Sequence, residues 1–367
     1  MFTSTSFPAF TGCALFLAFA VLPAAQAAPR VERLDLPRTG GEASLTQAQD
    51  VSDTGTVVAG YRFQLVESGM RQTAFRWTAH DGLQSLPALP GGGTTGAQAV
   101  SADGSVIVGF SDGQDHSGRG FRSHAVRWNA RGAAHDLGAL AGGDDTAATG
   151  VSSHGVVIVG YGKDHRGQRR ALLWRDGMPA MDLGTLGGLA AIATDVSRDG
   201  DTAVGGARDA SGRTRAFLWV RAHGMRDLDA LADKDHAMAL AVSASGDAVV
   251  GYCAEAIQEW GASNMAELKG FIWLRATGSM REIVNNLGGT WTQPLGVADG
   301  GSVVVGVAQD ARGDTHAFRW TPTEGMRVES TLPQALRMQY ARGLSSDGRF
   351  SVGRLAHDNG AFRADWR

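Results

Sequence analysis

The stretch Val51-Ser52-Asp53-Thr54-Gly55-Thr56-Val57-Val58-Ala59-Gly60 is the first of seven copies of one element, which returns at Val100, Val151, Val196, Val242, Val297 and Leu344. Every copy carries a glycine four residues after its start, from Gly55 to Gly348, and another nine residues after it, from Gly60 to Gly353. A spacing held fixed from end to end signals a repeat architecture, in which each unit buries its apolar face only against its neighbours.

Two further elements share the period. One ends in tryptophan: Ala74-Phe-Arg-Trp77, Ala125-Val-Arg-Trp128, Ala171-Leu-Leu-Trp174, Ala216-Phe-Leu-Trp219, Gly270-Phe-Ile-Trp273, Ala317-Phe-Arg-Trp320 and Ala361-Phe-Arg-Ala-Asp-Trp366. The other follows each tryptophan and is plainest at Met181-Asp-Leu-Gly-Thr-Leu-Gly-Gly188. A unit of 45 to 55 residues results, with four strand-sized pieces in it. Asp103-Gly104, Asp199-Gly200 and Asp347-Gly348 read as two-residue hairpin turns, where glycine accepts the positive φ a tight turn demands. Four antiparallel strands in a repeat of this length describe a propeller blade. The sequence therefore predicts an all-β fold: a seven-bladed β-propeller of four-stranded antiparallel blades.

The ends of the repeat predict how the ring closes. Val31-Glu-Arg-Leu-Asp-Leu-Pro37 is a lone copy of the fourth strand, whereas the last unit stops at Trp366, where its own fourth strand should follow. The N-terminal strand is expected to complete the seventh blade and so remove an aggregation-prone edge.

With these elements laid out, His316-Ala-Phe-Arg-Trp320, Leu183-Gly-Thr-Leu-Gly-Gly188 and the spaced Val-Ser-x-Asp-Gly runs resemble the HAF family of bacterial extracellular repeats across nearly the whole chain after residue 27. The resemblance implies an exported propeller-like repeat protein. It carries over no catalytic or binding residue.

Composition agrees with short strands and tight turns: glycine supplies 51 of 367 residues and charged residues only 19%. Residues 1–27 hold no charged side chain, run apolar from Ala14 to Leu22 and end in Ala25-Gln26-Ala27, which reads as a secretory signal cleaved after Ala27. Residues 28–367 are expected to form a single propeller domain, periplasmic or extracellular and monomeric, with no membrane span once the signal is removed. Only Cys253 then remains, so no internal disulfide can form. A net charge of −3, from scattered acids and bases, offers no basic stripe for nucleic acid.

Candidate site residues come from the loops that vary. From the second glycine to the tryptophan the blades count 17, 19, 14, 14, 22, 14 and 13 residues, whereas each tryptophan stands 22 to 24 residues before the next element. Length varies in the loop between the second and third strands, so one face of the disc is adjustable and is expected to bind. The longest insertion, between Gly251 and Gly270, contains Cys253, Glu259, Trp260 and Asn264 and is read as a short helix. Trp260 either anchors a glycan or protein partner or covers its own insertion. His116 and Arg119, in the loop from Ser111 to Ser123, are second candidates beside the plainer reading of a solvated hairpin tip. Asp115, Asp164, Asp209, Asp310 and Asp358 stand near glycines in these loops; a ring of carboxylates suits Ca²⁺, but Asp bonding its own turn backbone is the better reading. The seven motif tryptophans read as packing between blades. Trp291, outside the repeat, is expected in a loop and partly exposed.

No histidine spacing fits a metal and no nucleophile elbow or phosphate loop appears, so no cofactor, metal or catalytic residue is expected. The leading reading is a binding module for a glycan or protein. The alternatives are a structural or surface-display propeller and a propeller hydrolase or lyase. A binder predicts an apolar or aromatic patch on the variable face near Trp260. An enzyme predicts two acidic or histidine side chains converging at the channel. A display protein predicts neither.

Overall fold

The computed structural model describes residues 28–34, 44–66, 69–114, 121–258, 261–262 and 267–367. The expected signal lies outside them. Within them stand seven four-stranded antiparallel sheets, six of them ordered by sequence from an inner strand beside the axis outwards. Blades 1 to 7 have the inner strands Ser44–Val51, Thr95–Val100, Asp144–Val151, Gly187–Val196, His236–Val242, Gly288–Val297 and Met338–Leu344. The outer strand of blade 7 is Arg30–Arg33, which pairs with Ala361–Asp365 from Arg30 opposite Asp365 to Arg33 opposite Phe362. The clasp predicted from the chain ends closes the ring. Leu34, just beyond it, is buried in the core between blades 7 and 1.

The first and second strands of a blade meet not in a two-residue turn but in a five-residue loop. In blade 2, Ser101 N–H donates to the Val106 carbonyl at 2.8 Å and Val106 N–H donates to Ser101 Oγ at 3.0 Å. The serine hydroxyl thus replaces a ladder partner, which lets the loop widen. Ser52, Ser152, Ser197, Ser243 and Ser345 repeat the device, and Ala298 replaces it in blade 6. The first repeat glycine turns this loop at positive φ, as Gly104 does at +73°. The second has a different cause. A Cβ on Gly109 would stand 1.9 Å from the Gly96 carbonyl oxygen, and the six equivalent glycines meet an inner-strand carbonyl oxygen at 1.8 to 2.3 Å. The second strand lies this close because each inner strand carries a β-bulge just before its end, as between Ala97 and Ala99.

Seven apolar cores each join two adjacent blades. The motif tryptophans sit in them as packing residues, Trp128 and Trp273 almost fully buried. Trp291 departs from expectation: it lies within the inner strand of blade 6 and is 7% exposed, packed with Met238, Tyr252 and Ile257. In the insertion of blade 5 the described residues form a two-stranded hairpin, Ile257–Gln258 against Gly261–Ala262, and Glu267 lies in a 3-10 turn; residues 259–260 and 263–266 lie outside them, and buried Ile257 and Leu268 hold the insertion to that same cluster.

Candidate functional site

The inner-strand bulges decide what the channel presents. The bulged residues are Gln49, Gln98, Thr149, Thr194, Leu240, Leu295 and Arg342, and all seven line a central cavity of about 100 Å³. Beside them lie two buried carboxylates. Asp50 accepts from its own neighbour Val51 N–H at 2.8 Å and from Val100 N–H of blade 2 at 2.9 Å. Asp195 does the same with Val196 and with Val242 of blade 5, at 2.8 and 2.9 Å. Burial pushes each acid up to about 7, although these N–H donors act the other way. Each carboxylate therefore uses both oxygens to staple two inner strands together. On the constant face a closed series of bonds between neighbouring loops rings the channel mouth, from Asp53 N–H on the Ala102 carbonyl round to Ser346 N–H on Asp53 Oδ1. Arg198 of blade 4 reaches across that mouth to Asp53 and to Ser346 Oγ, at 2.9 Å from the latter.

The constant face also carries two clefts that meet at one ridge. The larger, about 390 Å³, lies between blades 2 and 3 and is lined by Arg127, His135, Val156, Trp174, Arg175 and Met178. The smaller, about 190 Å³, lies between blades 3 and 4 and is lined by Leu173, Arg175, Met178, Met181, Trp219 and Arg221, with Pro179. Met178 and Arg175 belong to both. Met178 is 65% exposed, Val156 48% and Met181 43%, so the ridge and its flanks leave apolar surface in water. Such a grouping differs from scattered exposed residues and marks interaction surfaces.

At the smaller cleft a device repeated elsewhere is missing. At four other junctions a guanidinium from one blade lies over the motif ring of the next: Arg226 over Trp273 at 5.0 Å, Arg281 over Trp320 at 5.6 Å, Arg319 over Trp366 at 5.5 Å and Arg363 over Trp77 at 5.2 Å. The arginine comes either from the third strand (Arg319, Arg363) or from the fourth-strand residue paired with that position (Arg226 opposite Leu218, Arg281 opposite Ile272). In blade 3 the two positions hold Leu173 and Met181, which face each other in register. No arginine can cover Trp219 from either, and the cleft stays open.

The residues singled out from sequence, Trp260, Glu259, Asn264, His116 and Arg119, all lie outside the described residues. On the described part of the variable face, Leu65 and Met70 pair at the tip of the blade 1 hairpin and are both exposed. Asp115 also lies outside the described residues; the other four loop aspartates cap their own turns: Asp164 accepts from Arg166 and Gln168 N–H, Asp209 from Ser211 and Arg213, Asp310 from Arg312 and Asp314, and Asp358 from Gly360. Cys253 is buried, accepts from Leu231 N–H at 3.5 Å, and burial pushes its thiol up to about 11. Sequence reasoning missed the ridge, although Leu173 and Met181 break the arginine pattern visibly once the blades are aligned.

No family model matches the chain, and no curated protein matches its sequence. Solved structures match its fold. An oligogalacturonate lyase solved with manganese aligns with a TM-score of 0.55 at 14% identity, covering 93% of this chain and 94% of that one. The β-propeller domain of the trilobed protease from Pyrococcus furiosus aligns at 0.55 and 9% identity, over 88% and 93%. TolB from Acinetobacter baumannii aligns at 0.48 and 12%, over 86% of this chain, which spans 64% of the TolB length. The two alignments at 0.55 agree with the propeller fold and at such identities speak to fold alone.

Proposed function

We propose that this chain is an exported repeat protein of the HAF kind that works as an interaction module, binding a protein partner on the constant face at blades 2 to 4. The observation that carries the reading is the Met178 ridge, apolar and exposed between two clefts. Methionine is flexible and polarisable and recurs at surfaces that accept partners. Catalysis finds less support. The two channel acids are committed to backbone N–H groups, and the one thiol of the described residues is buried and held protonated.

The test screens the full chain against a displayed peptide library and a glycan array, beside Met178→Glu. Hits lost in the variant, with its melting temperature retained, support a protein-binding face at the ridge. Hits that survive Met178→Glu, or glycans alone, overturn it and return attention to the variable face around Trp260.

A further inference from the structure

Resting on that reading, we infer that the cleft between blades 3 and 4 receives a bulky apolar side chain of the partner, carried on an extended segment with a carboxylate beside it. The Trp219 cleft is walled by apolar side chains where four other junctions place a guanidinium over the ring. Its walls are Leu173, Met181, Pro179 and the indole, with Met178 at the rim. A partner's own arginine could stack on the indole as its counterparts do elsewhere, but the charge at this cleft argues against it. Two guanidinium groups, Arg175 and Arg221, line the cleft and no carboxylate does. Arg221 already has Asp201 at 3.0 Å, whereas the described residues offer Arg175 no ion pair. A cation would enter against the uncompensated charge of Arg175; an apolar group followed by an acid fills the cleft and pairs with Arg175, whose planar fork suits a carboxylate.

The same arginine points the path of the segment. Beyond Met178 the larger cleft continues over blades 2 and 3, where Arg127 is held by Asp176 at 2.5 Å and His135 lines the wall. A chain anchored over Trp219 therefore crosses the ridge with its carboxylate beside Arg175 and lies in the wider cleft.

The test pans a random displayed peptide library over the full chain and measures the selected peptides by fluorescence polarisation against three variants. Met181→Arg places arginine where Arg226 and Arg281 stand in the next two blades, closing the cleft with a residue the fold already accepts there. Arg175→Glu reverses the charge at the rim, and Met70→Glu alters an exposed apolar residue on another blade as a control. The expected result is a consensus of one bulky apolar residue next to Asp or Glu. Its affinity should fall at least tenfold in Met181→Arg and in Arg175→Glu, hold in Met70→Glu, and recover in Arg175→Glu when the peptide acid becomes lysine. Basic or neutral consensus peptides, or binding indifferent to Met181→Arg, overturn this inference; if those peptides are still lost in Met178→Glu, the interaction reading stands without it. Peptides indifferent to Met178→Glu overturn both.

Discussion

Blades 4 and 5 meet through hardware that blades 3 and 4 lack. At the first junction Asp195 staples the inner strands, Thr194 Oγ donates across to the Ala239 carbonyl at 3.0 Å, and Arg226 covers Trp273 at the outside. At the second, Gly150 stands at the position of Asp195, and a Cβ there would lie 2.8 Å from the Asp195 Cα. Thr149 still reaches across, to the Ala193 carbonyl at 3.0 Å, but Leu173 with Met181 leaves Trp219 uncovered by arginine. The apolar cores of the two junctions are nevertheless of one kind, strand side chains packed round a tryptophan. The repeat thus fixes the core and leaves the channel and the rim free to differ. The exposed apolar ridge stands at a junction that lacks the arginine cap found at four others.

The comparison breaks most readily at the staple. Asp195→Ala leaves the N–H groups of Val196 and Val242 buried without acceptors, which costs about 3 kcal/mol in urea unfolding at neutral pH. Thr149→Val, which removes the single hydroxyl at the plainer junction, costs about 1 kcal/mol. Equal losses would mean that the carboxylate is not what distinguishes the two.

A smaller effect follows pH. Asp50 and Asp195 titrate near 7 in the fold against an ordinary 3.8, with burial as the main cause and Arg342 as the charge facing both. A raised acid favours the folded state while it is protonated. Its contribution is therefore complete below about 3.8 and lost as pH rises through about 7. Measured against a variant carrying Asp50→Asn and Asp195→Asn, the natural chain should gain a few degrees of melting temperature between pH 8 and pH 5. A difference that stays flat, or grows in the other direction, would show the two acids to be ionised throughout.

The smallest change concerns the outer cap. Arg226→Met copies the rim of blade 3 onto blade 4 and should lose about 1 kcal/mol of cation–π contact, read from chemical denaturation. Asp227, its neighbour, still pairs with Arg215 at 2.8 Å, so the effect is confined to the ring. If stability is unchanged, the arginine caps do not hold the junctions together, and the omission at Trp219 has no stabilising counterpart.

Much of this was legible beforehand. The invariant glycines, the tryptophan runs and the orphan strand at Val31 gave blade number, strand count and the closing clasp, because repeated backbone constraints leave repeated residues. The loop aspartates were legible as turn caps for the same local reason. Trp291 was not, since a tryptophan outside a motif carries no mark of burial; the hairpin at Ile257 that helps bury it comes from the neighbouring blade's insertion. The ridge escaped for a related reason. Met178 and Met181 are ordinary apolar residues in sequence, and their exposure at the edges of two clefts shows only once the blades stand side by side.

By itself, then, the sequence determined whatever one blade dictates locally: which positions admit only glycine, how many strands a blade holds and how many blades close the ring. Tertiary structure alone decided what two blades make between them. The staples of Asp50 and Asp195, the bulged residues gathered in the channel and the cleft at Trp219 each join residues of different blades. Only the closed ring sets such residues side by side, because their proximity comes from packing one sheet on the next and not from any property of the chain between them.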